Sequence, residues 1–259
     1  GRELASRLTY NFGKSLGSDT VMHLGVAGTT GKYQVAATST SNGGKAAETE
    51  TTAALFAFRS EDRGMANIFR ERLKSSPLLT AGYGGISDEP MTVKKALGGL
   101  EAAYAYGPLK LQAEYIDAYF NATTSVSSGV GHVKAYYSEL MYNITGEKWA
   151  DAYKSGAFSG VKPNSNFTAN GGTGAWQVGL RMSAYDASDV VVTGGKNQDN
   201  SDKAQTYTLG LNWLINPNAR VMLNYAITNF DTAVKPVDVT GAIASKSEKV
   251  ISLRTQLNF

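Results

Sequence analysis

Three runs decide the fold: TYTLGLNWLI (206–215), RVMLNYAITNF (220–230) after a break at Asn216-Pro217, and KVISLRTQLNF (249–259) after a polar loop. In the first, Tyr207, Leu209, Leu211, Trp213 and Ile215 alternate with Thr208, Gly210, Asn212 and Leu214. In the second, Val221, Leu223, Tyr225 and Ile227 alternate with Arg220, Met222, Asn224 and Ala226. In the third, Ile251, Leu253, Leu257 and Phe259 alternate with Ser252, Arg254, Gln256 and Asn258. A period of two sustained over about ten residues is a strand signal, with one apolar face and one polar face.

A soluble sandwich shows the same alternation, so strand length and the position of the aromatics have to separate the two. Runs of about 9–11 residues suit a tilted transmembrane strand. Tyr and Trp sit near the run ends, as an interfacial girdle requires, and the last residue is an aromatic within a strand, as in many outer-membrane barrels. These features predict an all-β chain, a transmembrane antiparallel β-barrel.

Composition supports this reading by exclusion. Among 259 residues no run approaches the ~18–20 apolar residues of a membrane helix. A barrel passes the same test because only every second residue of a strand faces lipid. There is no cysteine, which removes disulfides and thiolate metal sites, and two histidines leave little for any other metal. No cofactor is expected. The net charge of +3 gives no argument for nucleic acid.

Outward from the opening stretch, Leu4, Leu8, Tyr10 and Phe12 mark a first strand that breaks at Gly13–Asp19, and Val21 to about Thr29 reads as a second. His23 lies on its polar parity and reads as a lumen-facing side chain. From Gly31 to Val93 the Thr, Ser, Gly and Ala content predicts a long exposed loop. It contains a short apolar run, Ala53 to Phe58, followed by Arg59, Arg63, Arg70 and Arg72 with acids between them. That segment reads either as a solvated loop of mixed charge or as arginines folded into a pore.

Ala96–Tyr106 and Leu109–Phe120 predict a hairpin across Gly107-Pro108, and Val133–Ile144 a further strand. Lys134 falls on the apolar parity of that strand, which predicts a bulge or a loop-end position. Thr145–Gly172 reads as a compact polar connection. Trp176–Ser183 returns to alternation, and Asp186–Asp202 is a long Asp/Asn/Gly-rich loop. The count is about nine strands. Bacterial single-chain barrels have an even number, so the expectation is a single β-barrel domain over residues 1–259 whose earlier strands are missing. With the terminal strand ending at the periplasm, Gly13–Asp19, Gly107-Pro108, Asn216-Pro217 and the long connection Thr145–Gly172 fall on that side, while Gly31–Val93, Asp186–Asp202 and Asp231–Glu248 fall outside.

Several segments resemble the phosphate-selective porin O and P family. They are Tyr142-Asn143-Ile144-Thr145-Gly146-Glu147, then Phe158 and Val161-Lys162-Pro163, then the run from Gly174 to Ser183. Tyr207 to Trp213, Asn216 to Arg220 and Asn224-Tyr225 carry it further. Order and spacing agree over most of the chain from Leu100 onward. The resemblance implies a sixteen-stranded barrel of the Gram-negative outer membrane, assembled as a homotrimer in lipid. It also implies selectivity from arginines on strands and on an inward loop. Phe58-Arg59-Ser60-Glu61-Asp62-Arg63 stands where that family carries an Arg-rich segment, but with acidic neighbours and no Pro.

Alternation by itself puts Arg7, Lys110, Arg181, Arg220 and Arg254 on the non-lipid face. Any barrel demands this, since Arg or Lys facing lipid at the midplane costs about 2–4 kcal/mol. As a set, set against Glu101 and Glu114, they predict a positive lumen suited to phosphate or another anion. Arg59, Arg63, Arg70 and Arg72 are the candidates for its narrow zone. The expected function is passive anion diffusion, phosphate or polyphosphate above all. A general, weakly selective porin remains open, as does a structural outer-membrane protein whose loops bind a surface partner. An enzyme is not expected, because no nucleophile and base are readable as a pair.

Overall fold

The computed structural model describes residues 2–35, 54–58, 69–72, 91–123, 128–192, 201–234 and 243–258. Within them the chain forms fourteen strands. They are β1 (Arg2–Asn11), β2 (Thr20–Val35), β3 (Ala54–Phe58), β4 (Phe69–Arg72), β5 (Met91–Tyr106), β6 (Leu109–Thr123) and β7 (Ser128–Asn143). The remainder are β8 (Tyr153–Lys154), β9 (Ala157–Phe158), β10 (Ala175–Asp186), β11 (Val191–Val192), β12 (Lys203–Asn216), β13 (Ala219–Val234) and β14 (Ser245–Leu257). Nine long strands make one sheet in the order β1-β2-β5-β6-β7-β10-β12-β13-β14, and β11 adds to the far end of β7. All pairings are antiparallel. β3 pairs with β4, and β8 with β9, in two separate hairpins.

The alternation in the sequence becomes two chemically distinct faces. Leu8, Leu24, Leu100, Leu111, Leu140, Leu180, Leu209, Leu223 and Leu253 are all exposed on one of them. A protein in water would not leave this many leucines uncovered on one sheet face; in lipid the same face is solvated by hydrocarbon. Aromatics gather at the short-turn end of that face. Trp176 stacks on Trp213 at 5.4 Å, Phe167 meets Trp213 edge-on at 5.1 Å, and Tyr10 meets Phe12 at 4.5 Å. Leu209→Arg is expected to cost about 2–4 kcal/mol on folding into vesicles, whereas Ser252→Arg on the opposite parity is expected to be tolerated. Equal costs in a denaturant titration would mean that the faces are misassigned.

Three sequence expectations need correction. The loop predicted to begin at Gly31 begins later, because β2 continues to Val35 and β5 starts at Met91. Gly31 to Val35 pair residue for residue with Lys95 to Met91, and the ladder hydrogen bonds outweigh the turn-forming composition. Of the two expectations for Lys134 the bulge is excluded, since its strand keeps unbroken register with both neighbours, and the loop-end position stands: Lys134 lies opposite Asp186, the last residue of β10, and its ammonium reaches Asp189 at 3.4 Å. The Thr145–Gly172 connection is not simply polar. Trp149, Ala152 and Val161 within it are buried against the sheet.

Candidate functional site: the polar face and its inward connection

The site is assembled by the segment that joins β7 to β10. Chain direction leaves Asn143 at the short-turn end of the sheet, and there its side chain fixes the exit. Asn143 Nδ2 donates to the Glu147 carbonyl at 2.7 Å, and Gln177 Nε2 on β10 donates to Asn143 Oδ1 at 2.8 Å. The Glu147 carboxylate, itself buried, accepts from Thr145 Oγ1 at 2.5 Å and from the Asn164 amide at 3.1 Å. A buried carboxylate with these donors ties the first residues of the connection to its returning limb.

Trp149 then anchors the segment to the polar face. Its indole Nε1 donates to Pro108 O at 3.0 Å and its backbone amide to Gly107 O at 2.9 Å. Around it Val21, Ala105, Ala175 and Leu214 from four strands close a small core, with Phe158 edge-on to the indole at 6.0 Å. Lys148 adds an ion pair to Asp19 at 2.8 Å, which raises the lysine above its ordinary range.

From this anchor the β8–β9 hairpin reaches across the polar face to β1. Its turn is Ser155-Gly156, with φ of 50° and 77°. A Cβ on Gly156 would lie 2.7 Å from Thr9 Oγ1 on β1, so glycine serves both the left-handed turn and the close approach. The Gly156 carbonyl accepts from Arg7 Nη2 at 3.0 Å. Between hairpin and sheet lies a cleft of about 320 Å³, lined by Arg7, His23, Glu101, Lys110, Tyr153 and Arg220 among others.

The charges along this face are organised in pairs. Arg7 grips Glu101 through two hydrogen bonds, Nε to Oε1 at 2.8 Å and Nη2 to Oε2 at 2.9 Å, the bidentate geometry that a planar guanidinium favours. Glu101 has room to lie there because Gly25 on β2 carries no side chain; any Cβ at Gly25 would overlap its carboxylate. His23 is buried beside them, Nδ1 2.7 Å from Tyr153 Oη and Nε2 3.4 Å from Glu101 Oε1. Burial pushes the Tyr153 phenol up, so at neutral pH it keeps its proton. The network therefore favours the tautomer in which the phenol donates to Nδ1 and Nε2–H faces the carboxylate.

Lys110 is almost wholly buried. Its ammonium donates to Glu139 Oε1 at 2.9 Å and sits 4.5 Å from the Trp149 ring centre and 5.4 Å from that of Phe158. Arg181 lies 3.7 Å from Glu139 Oε2 and stacks over Tyr137 at 4.0 Å. Arg220 donates twice to Gln256 Oε1, at 3.0 and 2.6 Å. Arg254 is exposed, opposite Met222 in the register. All five sit on the polar parity, and the inward fold of the connection brings Arg7, Lys110 and Arg220 to one cleft. Glu139 joins Glu101 and Glu114 on the same face and reduces the positive excess that Glu101 and Glu114 alone would leave. Arg70 and Arg72 lie on β4, opposite Ala57 and Ala54 of β3; Arg59 and Arg63 fall outside the described residues.

Sequence reasoning missed Trp149, Glu147, Tyr153 and Gly156. The apolar residues of the connection were the available signal: a solvated loop has no use for Trp149, Phe158 and Val161 within thirteen residues. Among the described residues no cluster of three His, Asp or Glu could hold a metal ion.

The profile of the family described as phosphate-selective porin O and P matches residues 87–259, which covers β5 to β14 and the whole inward connection. The chain belongs to the phosphate-selective porin O and P family. It is also similar to Porin O of Pseudomonas aeruginosa, 31% identical over 155 residues that make up 58% of this chain and 34% of that protein. The chain thus spans about a third of that relative in the matched region. Members of this family are outer-membrane porins of Gram-negative bacteria, so the exposed leucine face is the lipid face of a β-barrel wall and the polar face its lumen. Among the described residues β1 and β14 do not pair, so the sheet is open. In such barrels the short turns lie at the periplasm, which puts the inward connection at the periplasmic end. Membership of a porin family points to a channel rather than to an enzyme.

Proposed function

We propose that this porin is a passive anion channel that favours phosphate, with the ion passing along the polar face beside the inward connection. The observation that carries this reading is the cleft between hairpin and sheet, which Arg7 and Arg220 both line beside the connection that Trp149 anchors. Arg181 on β10 and Arg254 on β14 extend the positive surface to either side of Arg220 on β13. Arginine suits phosphate because its planar fork donates two hydrogen bonds and replaces lost hydration. Its engagement with Glu101 or Gln256 keeps each site moderate, and a row of moderate sites lets an ion leave as well as enter. Lys110, shielded by Trp149, contributes field rather than direct contact. Arg59, Arg63, Arg70 and Arg72 remain candidates for the narrow zone, and a homotrimer is the assembly that the family suggests.

A second reading, a general porin of weak selectivity, is favoured by Glu101, Glu114 and Glu139 on the same face. The two separate in a planar bilayer holding the full-length protein under a chloride gradient. The phosphate reading expects an anion-selective reversal potential, block of chloride current by phosphate at low millimolar or below, and loss of that block in Arg7→Gln with Arg220→Gln. Equal permeability to cation and anion would sink it and leave the general porin.

A further inference from the structure

The lipid-facing parity carries a feature that neither channel reading uses. At the long-loop end, Arg2, Lys32 and Lys94 are direct cross-strand neighbours on β1, β2 and β5, in the registers Arg2↔Lys32 and Lys32↔Lys94. All three are exposed and share the parity of Leu4, Leu8, Val26 and Leu100. Like charges directly opposite each other in a sheet are destabilising, so three in a row call for a counter-charge. None comes from the described part of the protein. Glu3, the carboxylate next to Arg2 in the chain, faces the lumen and is taken up by Lys95 at 2.9 Å and Thr29 at 2.8 Å.

The neighbouring strands treat their outer charges differently. Asp117 pairs with His132 at 3.2 Å, Lys134 with Asp189 at 3.4 Å, and Lys203 with Asp186 at 2.8 Å. Outward charged groups on β6 to β12 meet a partner within the protein; on β1, β2 and β5 the row is left positive. The height of the row says what meets it. Lys94 and Tyr106 are the two ends of one run of β5, residues 94 to 106. At ~3.3 Å per residue and a strand tilt of 35–45°, that run rises about 30 Å along the membrane normal. The apolar band of such barrels is about 25 Å tall, so the cations stand just beyond it. Leu4 and Tyr119, in the row below, mark its edge.

We propose that Arg2, Lys32 and Lys94 form a binding site for phosphate-bearing lipid headgroups of the outer leaflet. The acyl chains of such a lipid lie on the leucine face below, and its phosphates supply the charge that the row lacks. The site is separate from the lumen and does not depend on the ion selectivity of the channel.

The test is native mass spectrometry of the full-length porin in detergent, titrated with lipid A carrying two phosphates and with its dephosphorylated counterpart. Each basic residue beside an anionic lipid surface contributes roughly a fivefold factor in affinity, so wild type is expected to prefer the phosphorylated lipid by on the order of a hundredfold. Replacing all three with glutamine is expected to abolish that preference, leaving reversal potential and gel heat-stability unchanged. Lys32→Arg with Lys94→Arg should retain it. Equal binding of the two lipids by wild type, or a triple variant that keeps the preference, would overturn the proposal. Selective displacement of the lipid by inorganic phosphate, over chloride at matched ionic strength, would mark a free-anion site and overturn it too.

Discussion

Trp149→Ala is expected to unseat the inward connection. The substitution removes an almost fully buried indole, its hydrogen bond to Pro108 O, and the ring that shields the Lys110 ammonium. Truncation of a buried Trp costs about 3–5 kcal/mol. The loss falls on the connection, because the strand ladders do not depend on it. Trypsin should then cut after Lys148 and Lys154 much faster than in wild type, while the barrel's own denaturation midpoint moves little. Single-channel conductance should rise as the hairpin leaves the polar face. A variant that resists trypsin and conducts like wild type would show that the segment is held by something other than this anchor.

Glu139→Ala is expected to be the most damaging change on the lumen wall itself. Glu139 holds the buried Lys110 at 2.9 Å and lies 3.7 Å from Arg181. Breaking one side of a buried pair strands the other charge and costs 3–5 kcal/mol; Glu139 retains some contact with water, so the expected loss is about 3 kcal/mol. Adding Lys110→Met should recover most of it, since an apolar side chain of similar length suits the pocket beneath Trp149 and Phe158. Refolding into vesicles across a urea series measures both. Conduction gives an independent check: Glu139→Ala alone raises the lumen's positive excess and should shift the reversal potential toward anions. If the double variant is no more stable than the single one, the pair is not the source of the loss.

The wall of the barrel was legible because each strand carries its own instruction. Tyr207, Leu209 and Leu211 point one way whatever their neighbours do, since successive side chains of a strand alternate. The polar parity of Arg7, Lys110, Arg181, Arg220 and Arg254 followed from the same rule. Strand ends were less legible. Gly31 to Val35 have loop composition, and only pairing with Met91 to Lys95, about sixty residues away, makes them strand.

What the sequence by itself determined was the two-faced sheet, the order of its strands and the family to which the chain belongs. The sheet and its order rest on period-two patterning and on local turn chemistry at Gly107-Pro108 and Asn216-Pro217, both readable within a dozen residues; the family rests on the segments Tyr142 to Glu147, Gly174 to Ser183 and Tyr207 to Trp213. Tertiary structure alone decided that Thr145–Gly172 turns inward, that Lys110 disappears beneath Trp149, and that Arg7 meets Glu101 and the tip of a hairpin from the other side of β7. It alone set Arg2, Lys32 and Lys94 side by side. The physical reason is the same for all of them. Burial and charge compensation depend on which residues meet across the sheet, and register between strands far apart in sequence has no local signature.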